Sequence, residues 1–185
     1  MTHKDTKDLQ KLTVGRLGIL SPYSCAELGA KVDNYLVQWR KGKLTQQHSA
    51  IAFEGYERDT YLVKSELPRF GSGEAKGIIL ESVRGDDLYI LVDVCNYSLT
   101  YSLSGQVNHM SPDDHFQNLK RIIAAVAGKA RRITVIMPFL YESRQQRVSG
   151  LRSGFAGTGK YGCGKYHHLR RSRSPYPERY SASRF

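Results

Sequence analysis

Phe70 and Glu74 stand four residues apart in the Gly-rich stretch LPRFGSGEAK, residues 67–76. An aromatic ring can stack on a base and a carboxylate can accept from its amino edge, so the pair has the chemistry of a nucleobase clamp. An ordinary β-hairpin without a ligand fits the same residues equally well. Farther along, MPFLYESRQ (137–145) ends in Arg144 and Gln145. The planar fork of Arg144 suits phosphate oxygens, and a plain surface arginine reads the same way. Three other features are weaker. GFAGTGKY (154–161) has the spacing of a phosphate loop but carries Tyr161 where Ser or Thr must hold magnesium, with no strand pattern before it and no helix pattern after it. RRSRSP (170–175) could bind phosphates as a flexible polycation and Cys163 with His167 and His168 could capture metal, signals that any biased sequence produces by chance. Asp86 and Asp87 read as a solvated turn before a strand as readily as a metal site.

Those residues need elements to place them. Gly15–Leu20 reads as a short apolar strand, and Ala26–Trp39 as an amphipathic helix with a stripe of Leu28, Val32, Tyr35, Leu36 and Trp39. Residues 41–50 are polar and read as a loop. Tyr61–Glu66 and Gly77–Leu80 read as strands on either side of the Gly-rich turn. Asp87–Cys95 is the most apolar run, rich in β-branched residues, and is expected in mid-sheet. Ser111 is a predicted N-cap, followed by Pro112 at the first helical position and Asp113 and Asp114 at the positive end of the helix dipole. Phe116, Leu119, Ile122, Ile123 and Val126 would be the buried face of that helix, Gly128 its end, and Arg132–Met137 the next buried strand. Strand, helix, strand is a crossover unit and implies a parallel sheet, so the fold class is α/β.

The chain has 185 residues, about one domain. Its three cysteines, Cys25, Cys95 and Cys163, are an odd number at no ligand-like spacing, which argues against a disulfide framework and a zinc site. No signal-like core and no long apolar run is present, so the expectation is a cytoplasmic protein without a membrane span. The net charge of +11 is unevenly placed: Ser143–Phe185 holds ten Lys or Arg and a single acid, Glu178. From residue 150 onward glycines and basic residues replace any apolar stripe, so residues 148–185 are expected to be a disordered basic tail.

Together these segments resemble ribose-phosphate diphosphokinase, the enzyme that makes phosphoribosyl diphosphate. The resemblance covers residues 16–147 through the opening strand and helix, RFGSGEAKGIILESVRGDDLYIL, KRIIAAVAGKARRITVIMPF and YESRQ. It lies with a divergent branch, since residues 42–59 and 96–110 are longer than in the common form. The resemblance implies a mostly parallel sheet flanked by helices, phosphoribosyltransferase-like, and a reaction that uses ATP and Mg2+. In that reaction a diphosphoryl group passes to ribose 5-phosphate, giving 5-phosphoribosyl 1-diphosphate and AMP, mainly by positioning and charge neutralisation. Residue by residue, it implies that Phe70, Ser72 and Glu74 contact adenine from across a subunit interface and that Arg144 and Gln145 contact the triphosphate. Ser72 stands where the family has Asn or Asp, and Gln146 where it has an acid. The resemblance also implies a homo-oligomer, or association with full-length subunits; it assigns no catalytic residue and no metal ligand here.

Residues 1–147 are therefore expected to form an incomplete N-terminal domain. After Gln145 nothing corresponds to the family's metal-and-ATP histidine, its catalytic Lys/Arg loop or its ribose-phosphate loops, so the chain is expected to be an inactive fragment. Codons for residues 148–175 can be chosen that, read one base later, yield an apolar helix and a strand ending in an acid-x-His element. A nucleotide lost or gained near codons 143–148 is the expected origin of the tail, with a genuine basic tail as the alternative. Two other functions fit less of the chain. One is a non-catalytic regulatory partner of the full-length enzyme. The other is nucleic-acid binding through the tail, against which stands the lack of aromatics interleaved in a folded groove.

Overall fold

Asp87–Leu91 is apolar along both faces, and only a strand covered on both sides satisfies such a run. In the computed structural model, which describes residues 15–46, 58–141, 163–171 and 180–184, this segment is β4, with β1 (Leu17–Leu20) parallel on one side and β7 (Arg132–Met137) parallel on the other. Leu88 pairs with Gly18 and Ile133, and Ile90 with Leu20 and Val135. The mid-sheet expectation for this run holds, although the strand closes at Leu91 rather than Cys95.

Each face of the sheet carries one helix. On one side Leu20, Leu88, Ile90 and Val135 pack with α2 (Pro112–Val126), whose Phe116, Leu119, Ile122, Ile123 and Val126 are all buried. Full burial of such side chains is worth about 1.5–3 kcal/mol each. On the other side Ile19 and Leu91 pack with Val37 of α1 (Ala26–Gln46) and with Tyr61, flanked by Val32 and Leu36. Alternate strand residues thus serve opposite cores, as the period of two requires.

The start of α2 follows its sequence. Ser111 Oγ accepts the Asp114 amide at 3.1 Å, Asp114 Oδ2 accepts the Ser111 amide at 3.0 Å, and Pro112 leads the helix. This reciprocal pair satisfies two of the otherwise orphaned donors of the first turn. Gly128, at φ +72, ends the helix in the left-handed region.

Helix α1 departs from expectation twice. It runs to Gln46, into the predicted loop at 41–50, because Lys, Leu and Gln are good helix formers and the single Gly42 costs only about 1 kcal/mol. Its predicted stripe is also rotated: Leu28, Tyr35 and Trp39 are exposed, whereas Gly29, Asp33 and Val37 face the sheet. Asp33 is buried because it accepts from the Tyr61 amide and from Thr60 Oγ1, both at 2.7 Å. A Cβ at Gly29 would lie 2.3 Å from Ser21 Oγ, so a hydrogen there lets the helix approach.

The predicted strands around the Gly-rich turn shrink to an antiparallel pair, β2 (Ser65–Glu66) and β3 (Ile78–Ile79). Residues 96–110, read as a long loop, contain a hairpin of β5 (Thr100–Leu103) and β6 (Gln106–His109). Ser104 and Gly105, at φ 51 and 78, make the two-residue turn whose twist suits paired strands.

Two stretches of the segment expected to be disordered extend the sheet: β8 (Cys163–Arg171) lies parallel to β7, and β9 (Tyr180–Arg184) antiparallel to β8. Sheet order is β1-β4-β7-β8-β9. The physical reason is that the open edge of β7 offers unpaired N–H and C=O groups to any extended backbone, whatever its side chains. The rest of residues 148–185 lies outside the described residues. Among the described residues no helix is long and apolar enough to cross a membrane.

Asp86 and Asp87 sit at the amino end of β4, away from the loops of interest. Neither is solvated: Asp86 accepts from Arg16 Nε at 3.0 Å and Nη2 at 2.9 Å, and Asp87 is paired with Arg132. These are buried carboxylates held by guanidinium forks, so the turn ahead of β4 is present but its aspartates are not solvated, and the metal reading gives way to the ion pairs.

Candidate functional site

The loop carrying Phe70, Ser72 and Glu74 is a tight hairpin. Phe70 N–H donates to Glu74 O at 2.7 Å, Gly73 N–H to Phe70 O at 2.9 Å, and Lys76 N–H to Pro68 O at 3.1 Å, with an antiparallel bridge between Arg69 and Ala75. Gly73 sits at φ +87, a conformation that disfavours any side chain. The Phe70 ring is 52% exposed at the tip. Ser72 Oγ lies 3.2 Å from Glu74 Oε2 and donates to it. An exposed ring beside an exposed carboxylate on a backbone closed by its own hydrogen bonds is a platform that can stack a planar group and accept from its edge.

The structure brings Phe70, Ser72 and Glu74 together; Arg144 and Gln145 lie outside the described residues. The segment leading to them is nevertheless anchored. Tyr141 stacks its ring on Phe116 at 4.3 Å and 8°, and its hydroxyl donates to Asp113. One residue along, Asp114 Oδ1 accepts from Arg69 Nη1 and Nη2, both at 3.2 Å. The residue preceding Phe70 and the residue three before Arg144 are therefore tied to adjacent carboxylates in the first turn of α2.

Burial pushes the Asp114 carboxyl up, but hydrogen bonds from the Ser111 amide and hydroxyl, with the Arg69 charge, outweigh it and hold the group below its ordinary value. Burial, then the charge of Arg69, lowers Arg121, whose Nη1 donates to Asn118 Oδ1 at 2.9 Å. A cavity of about 150 Å³ opens beside the loop's base at the carboxyl ends of β1 and β4, lined by Ser24, Leu67, Arg69, Val92, Tyr101 and His115. Carboxyl ends of strands are where open α/β sheets bind ligands.

Arg69, Tyr101, Asp113 and Asp114 were not singled out as site residues by the sequence. The capping pattern marks both aspartates, but only as helix formers; their partners are 28 and 45 residues away, beyond any local signal. Among the described residues no three His, Cys, Asp or Glu side chains converge to hold a metal, and no magnesium ligand is assigned there. Side chains of Cys163, His167 and His168 lie outside the described residues.

Comparison with known proteins gives a consistent set of likenesses. Residues 17–155 match the family model for the N-terminal domain of ribose phosphate pyrophosphokinase. A ribose-phosphate pyrophosphokinase of Maricaulis maris is 34% identical over 96 residues, 51% of this chain and 26% of that protein. Ribose-phosphate pyrophosphokinase 1 of Candida albicans is 38% identical over 92 residues, 50% of this chain and 25% of that protein. The matched stretch thus covers about a quarter of the length of each of these curated relatives. The crystal structure of phosphoribosylpyrophosphate synthetase from Mycobacterium smegmatis aligns with 84% of this chain and 42% of its own, at 17% identity and a TM-score of 0.47.

Proposed function

This chain belongs to the family of the N-terminal domain of ribose phosphate pyrophosphokinase, and from that premise we propose that it supplies the ATP-gripping part of such an enzyme. Phe70 stacks the adenine, Glu74 accepts from its amino edge with Ser72 beside it, and Arg144 with Gln145 bind the phosphates. One observation carries this reading: Arg69 and Tyr141, which lead into the two segments, are held by neighbouring residues of the first turn of α2. One rigid helix end thus anchors both the clamp and the approach to the fork, so that in an oligomer the clamp of one subunit can meet the adenine of a nucleotide whose phosphates its neighbour holds. The Ser72 hydroxyl offers less than an Asn or Asp side chain, and Gln146 brings no charge, so affinity is expected to be weaker than the family's norm.

The family's transfer moves a diphosphoryl group from Mg2+-bound ATP to the anomeric hydroxyl of ribose 5-phosphate, with AMP leaving. Residues 148–185 carry nothing that resembles the groups needed for ribose phosphate or for the metal-bound triphosphate, so the part of that reaction assigned to residues 1–147 is nucleotide binding. The nucleotide loop works in an oligomer, either of this chain or with full-length subunits, in the cytoplasm. The test is calorimetric titration of the purified chain with ATP and magnesium, alongside an assay for AMP formation with ribose 5-phosphate. ATP binding that Phe70→Ala and Arg144→Ala each weaken, without AMP formation, supports the reading. ATP binding indifferent to both substitutions refutes the site, and sustained AMP formation refutes the assignment as a partial enzyme.

A further inference from the structure

The β5–β6 hairpin, 30 residues farther along the chain than the Phe70 loop, meets it chiefly through the Arg69 side chain. Arg69, with its side chain 13% exposed, donates from Nη1 to Gly73 O at 2.9 Å, across the base of the loop. Nη1 and Nη2 also reach Asp114 Oδ1, and the guanidinium carbon stands 3.8 Å from the centroid of the Tyr101 ring on β5. A cation over an aromatic face, shielded from water and fixed by a carboxylate, is well beyond a surface contact in strength. The hairpin's Leu103 lies beside the loop as well, with Cδ2 3.7 Å from where a Cβ at Gly73 would be.

The hairpin is itself fastened to the body, so it can act as a fixed post. Asn96 donates from its side chain to Ser24 O at 2.9 Å, and its carbonyl bonds His115 Nε2 at 2.8 Å. Met110 N–H closes the base on Leu99 O at 2.8 Å, and Tyr97 stacks on His109 at 4.5 Å. Both ends of the insertion are thus pinned to the start of α2 or to each other, while Tyr101 projects to Arg69.

We propose that Arg69 is a positioning residue and the β5–β6 hairpin a brace: through the Tyr101 ring, Asp114 and the Gly73 carbonyl they hold the Phe70–Glu74 loop in the form that receives a nucleobase. Arg69 acts through its neighbours, with one guanidinium face on the Tyr101 ring and both terminal nitrogens engaged by Gly73 O or Asp114 Oδ1. This rests on the reading of the loop as the adenine contact. It also gives the longer 96–110 segment a purpose, which is to set the adenine end of the site while leaving the phosphate end alone.

The test compares wild type with Arg69→Ala, Tyr101→Leu and Tyr101→Phe in the full chain. Two readouts are needed: amide exchange at Phe70 and Gly73, which donate within the loop, and affinity for ATP against inorganic tripolyphosphate. Loss of the ring contact should speed loop exchange about fivefold, while Tyr101→Phe, which keeps the ring, leaves it unchanged. ATP affinity should fall by a similar factor with no change for tripolyphosphate. Tyr101 is only partly buried, so Tyr101→Leu keeps the test valid if Arg69→Ala fails to fold. Loop exchange that stays at the wild-type rate in Tyr101→Leu overturns the brace. Equal losses for ATP and tripolyphosphate overturn it too, as the mark of general loosening. Faster exchange in a chain whose wild type binds no ATP upholds the brace and overturns the adenine reading.

Discussion

Replacing Asp114 should destabilise the domain in a way that disappears in acid. Its Oδ2 accepts from the Ser111 amide at 3.0 Å and the Ser111 hydroxyl at 2.9 Å, and its Oδ1 from both terminal nitrogens of Arg69. In Asp114→Ala the carboxylate half of the capping box is lost, about 1 kcal/mol, while Ser111 still caps the amide of residue 114. The Arg69 pair, with side chains 24% and 13% exposed, adds about 0.5–1 kcal/mol after solvent screening. A loss near 2 kcal/mol is therefore expected near neutral pH, and about half that for Asp114→Asn, which keeps an acceptor for Ser111 but drops the charge. The carboxyl is held below its ordinary 3.8, so the folded state binds the proton less readily than the unfolded chain. Its contribution is complete above that ordinary value and fades as pH falls through the folded value. Urea unfolding of wild type and Asp114→Asn at a series of pH values reads this directly. The gap in stability should be widest at about pH 6 and narrow steadily as the pH is taken below the ordinary 3.8 and through the folded value, if the charge carries it. A gap of equal size at both ends, or none at the upper end, would refute the reasoning.

Three further outcomes follow from the packing. Ile122→Ala removes a side chain with 0% exposure between α2 and the sheet and should cost about 2–5 kcal/mol in chemical denaturation; a change below 1 kcal/mol would show that the core collapses around the gap. Gly77→Ala places a methyl 2.8 Å from the Arg121 carbonyl oxygen of α2, and should cost about 1–3 kcal/mol by pushing the β3 end of the Phe70–Glu74 loop off the helix; an unaffected melting temperature would contradict that contact. Burial, then the Asp93 charge, pushes the Cys25 thiol up to about 11, whereas Cys95 is exposed. Iodoacetamide at mildly alkaline pH should label Cys95 and spare Cys25 until the chain unfolds, and peptide mapping that finds Cys25 labelled first would contradict its burial.

The parts of the fold legible in the sequence are those that local physics decides. Asp87–Leu91 announces a central strand by its apolar run, and α2 announces its start by Ser111, Pro112 and Asp114 and its face by Phe116 to Val126. The face of α1 was not legible, because Leu28, Tyr35 and Trp39 are as apolar as the residues that pack. What rotates the helix is the buried Asp33 with its bonds to residues 60 and 61, a long-range match that no hydrophobic period records. The β5–β6 hairpin did leave a signal, the Ser104-Gly105 pair between short alternating runs, which the length of the loop obscured. Of the candidate site, Phe70 and Glu74 could be named from their types, and Ser72 from its place between them, where the family has Asn or Asp. Arg69, Tyr101 and Asp114, which hold the loop, could not, since Arg69 meets them only after the chain returns to it 32 and 45 residues later. Strands β8 and β9 are formed by backbone pairing at an open edge and have no side-chain pattern to read.

Photolabelling with 8-azido-ATP tests the proposed nucleotide site most directly. The purified chain, irradiated with the analogue and magnesium and then digested, should carry the label within residues 69–76, with unmodified ATP competing it away and Phe70→Ala abolishing it. Label distributed along the basic residues after 147, or labelling of 69–76 that excess ATP does not diminish, would contradict the assignment of that loop to adenine.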